Sequence, residues 1–101
     1  MFIYNFYVGT ADKGTLKQEL PERLFINCFD CIFENYTVTK VKGRYTMQDT
    51  NTVIEEDSYK VTVINAFDDV ELIKKVETMK SILNQETILV TIDRQSDIKF
   101  I

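Results

Sequence analysis

The chain has 101 residues, 45% of them hydrophobic, with 12 Lys plus Arg against 16 Asp plus Glu, no His, and a formal net charge of -4. That length supports a single domain, 1–101, with one core. The acidic balance opposes general nucleic-acid binding, which draws its affinity from clustered cations, and the lack of His removes the commonest general base and metal ligand.

The opening MFIYNFYVG carries no basic residue ahead of its apolar run and reads as a strand rather than a signal peptide. No run approaches the ~18 apolar residues of a membrane span. The expectation is a soluble, cytoplasmic protein without membrane association. Residues 2–9 alternate with Phe2, Tyr4, Phe6 and Val8 toward a core and Ile3, Asn5 and Tyr7 away from it. Residues 9–19, with two glycines, form a polar connection.

A helix is expected over 20–36, with Pro21 at its first position, where its missing N–H costs nothing. Leu24, Cys28, Cys31, Ile32 and Asn35 follow helical spacing, and Phe25, Phe29 and Phe33 widen the apolar side enough to imply a second packing partner. Residues 36–46 form the second strand, with Gly43 marking a bulge or bend. Residues 53–64 form a long central strand: Tyr59, Val61 and Val63 face the core, and Glu56, Ser58, Lys60, Thr62 and Ile64 face away. A second helix over 68–84 starts on a capping box, Asp68 with Glu71, buries Leu72, Ile73, Val76, Met79, Ile82 and Leu83, and stops at Asn84. Residues 86–94 form the last main strand, with Ile88, Val90 and Ile92 toward the core, and 97–101 add a short edge strand.

The order β-α-β-β-α-β predicts an α+β domain of ferredoxin-like type: an antiparallel sheet, first and third strands central, both helices on one face, and a dimer in solution. The helix-free face then displays Asn5, Tyr7, Thr37, Thr39, Val41, Glu56, Ser58, Lys60, Thr62, Leu89, Thr91 and Asp93. Such a face is a solvated surface, a dimer interface or a ligand platform.

Each short motif has a plain structural competitor. Cys28-Phe-Asp-Cys31 has the spacing of a redox or zinc pair, but no further Cys and no His complete a zinc set, so both thiols are expected as core packing. The Gly9 to Thr15 stretch resembles a phosphate loop, yet its Lys precedes the second glycine and it reads as a turn. Glu55, Glu56 and Asp57 alternate between faces and preset no carboxylate pair. Ser58 has no His to activate it. Lys40, Lys42, Arg44 and Lys60 read as one basic cluster on the sheet, suited to phosphate or carboxylate or to pairing with the acidic run.

The stretches F-Y-V-G in the first strand, G-R-Y at 43–45, E-D-S at 56–58 and N-Q-E-T-I-L-V at 84–90 are similar to those of a family of small uncharacterised bacterial and phage domains, matched at Gly9, Gly43, Glu56, Ser58, Gln85 and Glu86. That resemblance implies a ferredoxin-like fold and brings no activity with it. In size, acidity and Lys/Asn/Ile-rich composition the chain is also similar in style to phage proteins that blunt bacterial defence by sequestering nucleotide signals or binding an effector.

The function expected from the sequence is therefore a phage-encoded, non-catalytic homo-oligomer, without metal, cofactor or catalytic residue, that sequesters a small phosphorylated or nucleotide-type ligand. Tyr7 stacks on it, Arg44 and Lys60 meet its charge, and Glu56, Ser58, Gln85 and Glu86 bond its polar edges. Two alternatives stand beside this: a protein–protein inhibitor of a host nuclease or effector, and a cofactorless dimeric ferredoxin-like enzyme.

Overall fold

The computed structural model describes residues 1–10, 20–46, 51–94, 97–99 and 101, without the side chains of Tyr45 and Ile54. Its elements are β1 (Phe2–Gly9), α1 (Glu22–Ile32), β2 (Thr37–Thr46), β3 (Val53–Asn65), α2 (Asp69–Ile82) and β4 (Leu89–Asp93). The strands form one antiparallel sheet in the order β2-β3-β1-β4, the ferredoxin-like arrangement expected from the element string. Each crossover passes over the strand it skips: α1 joins β1 to β2 across β3, and α2 joins β3 to β4 across β1.

Strand parity divides the sheet as the alternation predicts. Tyr4↔Val63, Phe6↔Val61 and Val8↔Tyr59 pair on the helix side, and all six are buried. Phe25, Cys28 and Phe29 of α1, Phe33 just beyond it, and Met79 and Leu83 at the end of α2 close the core from above. Aromatic rings knit the layers: Phe25 lies 4.7 Å from Tyr59, and Phe33 lies 5.1 Å from Phe6, centroid to centroid. The surplus apolar width of the first helix is absorbed here, within one chain, because Phe25, Phe29 and Phe33 join Cys28 on its buried side. Cys31 is exposed, contrary to the expectation that both thiols pack in the core.

The first helix is shorter than its spacing predicts. Pro21 takes the cap position in extended conformation (φ -65°, ψ 141°), and Phe33 returns to extended backbone. The early stop lets Phe33 enter the core and lets Tyr36 donate a hydrogen bond back to Asp30 at 2.6 Å before β2 begins. The second helix carries its capping box as read: the Asp68 carboxylate accepts from Glu71 N at 2.7 Å. Asn84, in left-handed conformation at φ 48°, follows the helix, as a terminator should.

Four further expectations fail. Ile73 and Ile82 are 60% and 43% exposed, because α2 lies over β1 and its flanks extend past what one strand covers. Ile92 is 39% exposed because it lies on the edge strand β4, with no described strand beyond it in the sheet. Gly43 makes no bulge: the β2–β3 register runs unbroken through Gly43↔Glu56. Residues 97–99 and 101 form no strand, and the polar connection over 11–19 lies outside the described residues.

The β2–β3 hairpin is longer than the rest of the sheet. Pairing of β1 with β3 ends at Gly9↔Ser58, so among the described strands Val53 to Asp57 pair with β2 alone and project as an arm. Among the described residues no helix is long and apolar enough to cross a membrane.

Candidate functional site

The site lies where β1 ends and the arm begins. Thr10, 4% exposed, closes β1 with two bonds to one acceptor: its N–H and its hydroxyl donate to Asp57 O at 3.1 and 2.9 Å. Leu20 N then donates to Thr10 O at 2.9 Å and leads into α1. This pins Gly9 beside the first residues of the arm on the helix-free face, opposite Ser58 and diagonal to Glu56.

Gly9 is a glycine for a steric reason. A β-carbon there would run into the Glu56 carboxylate, with Cδ at 3.0 Å, and would sit 3.2 Å from Gln85 Oε1. Without that carbon, Glu56 folds across the end of β1 toward Gln85. Gln85 arrives from the opposite end of the sequence because the left-handed Asn84 reverses the chain after α2. It is 8% exposed; its backbone N–H donates to Lys80 O at 3.0 Å and its Nε2 to Leu83 O at 3.1 Å. With the amide nitrogen engaged there, Oε1 is the atom turned toward Gly9.

Tyr7 and Lys60 are paired across strands one step along the same face, with Lys60 Nζ 5.9 Å from the Tyr7 ring centroid. Next in the row, Thr62 Oγ1 donates to Asn5 Oδ1 at 2.8 Å. Tyr7, Glu56, Ser58, Lys60 and Gln85 are thus brought to one corner of the open face. Arg44 is not. By the parity that puts Thr39 and Val41 on the open face, Arg44 lies on the other, paired with Glu55, as do Lys40 and Lys42. The expected four-residue basic cluster is therefore split, with Lys60 alone on the site face. Glu86 is exposed and lines, with Glu77, Lys80, Ser81 and Gln85, a shallow hollow of about 290 Å³ behind Gln85.

Among the described residues no three His, Cys, Asp or Glu side chains converge as metal ligands would. The corner instead sets the Glu56 carboxylate and the Gln85 amide oxygen beside a strand end that lacks a side chain. Thr10 had no signal in the residue pattern, since its role is to stop β1 by bonding a strand 47 residues away.

No protein-family model matches the sequence, and no curated protein does. Among solved structures the fold matches a phage SAM lyase in complex with S-methyl-5'-thioadenosine, with TM-score 0.63 and 19% identity over 91% of this chain and 79% of that one. The likeness is one of fold. The apo state of a phage SAM lyase gives TM-score 0.61 at 19% identity, over 91% of this chain and 78% of that one. The periplasmic divalent cation tolerance protein CutA from Archaeoglobus fulgidus gives 0.57 at 8% identity, over 98% and 88%. The lyase matches overturn the expectation of a non-enzymatic, sequestering protein: the neighbouring fold that holds a nucleoside belongs to an enzyme. The cofactorless enzyme, set down above as an alternative, fits better.

Proposed function

We propose that this chain is a lyase that cleaves S-adenosylmethionine and releases S-methyl-5'-thioadenosine. The observation that carries the reading is the match across 91% of the chain to a phage SAM lyase, together with an acceptor-lined corner on the sheet face left open by the helices. In this reaction the bond from the sulfonium sulfur to Cγ of the methionine part breaks, and both electrons stay on sulfur, which becomes a neutral thioether. The carbon left behind is satisfied from within the substrate. Either the substrate's own carboxylate closes on Cγ to give a lactone, or Cβ loses a proton and an alkene forms. The first route asks the protein for orientation and electrostatics rather than for a nucleophile, which suits a chain without His.

The substrate is placed over the Gly9 corner, with Glu56, Ser58 and Gln85 at the reacting end and Tyr7 and Lys60 beside the nucleoside. Arg44 and Glu86 have no part in it. The working unit is a homo-oligomer. Lys40, Lys42 and Arg44 guard the β2 edge with exposed charge, whereas the β4 edge presents Leu89, 62% exposed, and carries no Lys. The complementary edge, free among the described residues, is β3 over 53–56, beside Glu56. A phage origin accords with the same matches.

Incubation of the purified protein with S-adenosylmethionine, followed by mass spectrometry, tests the reading. Methylthioadenosine accumulating over many turnovers is expected, and the four-carbon product identifies the route. Intact substrate at enzyme concentrations comparable to substrate would overturn it.

A further inference from the structure

One row of side chains on the open face is polar, uncharged and placed across all four strands: Thr37, Thr62, Asn5 and Thr91, paired in that order. Tyr7 and Lys60 make the row on one side of it, and Ile3 and Ile64 the row on the other. Among the described residues the polar row holds one side-chain bond, in which Thr62 Oγ1 donates to Asn5 Oδ1 at 2.8 Å. The pair therefore presents the N–H groups of Asn5 Nδ2 beside the lone pairs of Thr62 Oγ1. Both residues are half-buried although they stand on the helix-free face. Thr62 also lines, with Thr37, Ile64 and Asn65, a hollow of about 670 Å³, within the size range of small-ligand sites. Asn5 lies four residues from Gly9 along β1, about 13 Å at ~3.3 Å per residue, with Tyr7 between them on the same face. An extended S-adenosylmethionine covers that span.

The geometry points to Asn5 and Thr62 as the residues that bond the edge of the substrate's purine, Asn5 at N1 and Thr62 at the 6-substituent. This rests on the lyase reading and deepens it. Adenine fits the pair as it stands: N1 accepts from Asn5 Nδ2, and the 6-amino group donates to Thr62 Oγ1. A 6-oxo purine reverses both atoms, and the pair reverses with it. The amide turns over, Nδ2 donates to Thr62 Oγ1, Oδ1 accepts from N1–H, and the Thr62 hydroxyl donates to O6. The pair keeps its mutual bond in either state, because a hydroxyl both donates and accepts. The site thus requires a 6-substituent without reading its polarity, and the 6-oxo counterpart of S-adenosylmethionine is a second substrate, cleaved at the same bond to give methylthioinosine.

Calorimetry on the full-length protein with methylthioadenosine, methylthioinosine and the same nucleoside carrying hydrogen at position 6 tests this, beside turnover of S-adenosylmethionine and its 6-oxo counterpart. The first two nucleosides are expected to bind within about threefold of each other and the third about fivefold more weakly, the scale of one neutral hydrogen bond. Thr62→Val should weaken the first two to the level of the third. Asn5→Asp, which fixes an acceptor opposite N1, should create a preference for methylthioinosine of about tenfold. A native preference of tenfold or more between the first two overturns the inference, as does equal binding of all three. A ratio that Asn5→Asp leaves at one overturns the assignment of Asn5. No binding of any of them while methylthioadenosine is produced also overturns it, since substrate and product share the base. The expected binding pattern without turnover sinks the lyase and leaves the base-reading pair; no binding and no turnover sinks both.

Discussion

Two side chains outside the site hold their protons more tightly in the folded chain and so contribute to its stability in alkali. Burial, with the neighbouring Cys31 thiol adding to it, pushes the Cys28 thiol up from 9.0 to about 11. The Tyr36 hydroxyl, donating to Asp30, is pushed up from 10.0 to about 12. In both cases the folded chain keeps a proton that the unfolded chain gives up. Their contribution is whole below the unfolded values and is lost as pH rises through the window between unfolded and folded values. The denaturation midpoint should therefore fall from pH 9 upward. Cys28→Ala should flatten the lower part of that decline and Tyr36→Phe the upper part. A native midpoint constant between pH 9 and 11 would contradict the assignment. At the core, Phe29 is wholly buried against Tyr59 and Tyr36, and Phe29→Ala should cost about 3–5 kcal/mol in a denaturant titration. Against a typical domain stability of about 5–15 kcal/mol, that is enough to leave a substantial unfolded fraction.

The two helices are fixed at their ends by different devices. The start of α2 is held locally, by the reciprocal bonds of Asp68 and Glu71. Asp68→Ala should cost about 1 kcal/mol and lower the melting temperature by roughly 4–8 °C. A melting temperature equal to that of the native chain would mean that packing of Met79 and Leu83 alone sets the helix. The end of α1 is held by the other helix: Lys75 Nζ donates to Ile32 O at 3.0 Å while lying 5.7 and 5.0 Å from the Phe33 and Phe67 rings. An ammonium there meets the negative end of the α1 dipole and two ring faces together. The capping box was legible because it is written in four consecutive residues. The Lys75 contact was not, since it joins residues 43 positions apart.

At the scale of the whole molecule, the β4 edge and the β3 arm are the sheet edges on which copies of the chain would meet in the proposed assembly. The proposed assembly predicts a native mass that is a multiple of the 11.8 kDa chain, and Leu89→Lys should shift it toward one chain. If assembly completes the site, that variant should also lose methylthioadenosine production while its far-ultraviolet circular dichroism stays native. A single-chain mass for the native protein at micromolar concentration would remove the oligomer. Activity retained by a monomeric Leu89→Lys would show that one chain carries the site.

The order of elements and the inward face of β1 and β3 were in the sequence, because strand and helix periodicity are local and each residue's neighbours decide them. The same alternation already separated Val41 from Arg44, but β2 is polar on both sides and gave no weight to the distinction; only its register against β3 excludes Arg44. Gly9, Glu56 and Gln85 come from a strand end, a hairpin arm and a helix exit, and no spacing relates them. Their meeting depends on Thr10 stopping β1, on Asn84 turning the chain back and on the order of the strands. A carboxylate's position relative to a missing β-carbon is a property of packed tertiary structure, and the chemistry proposed for this protein rests there.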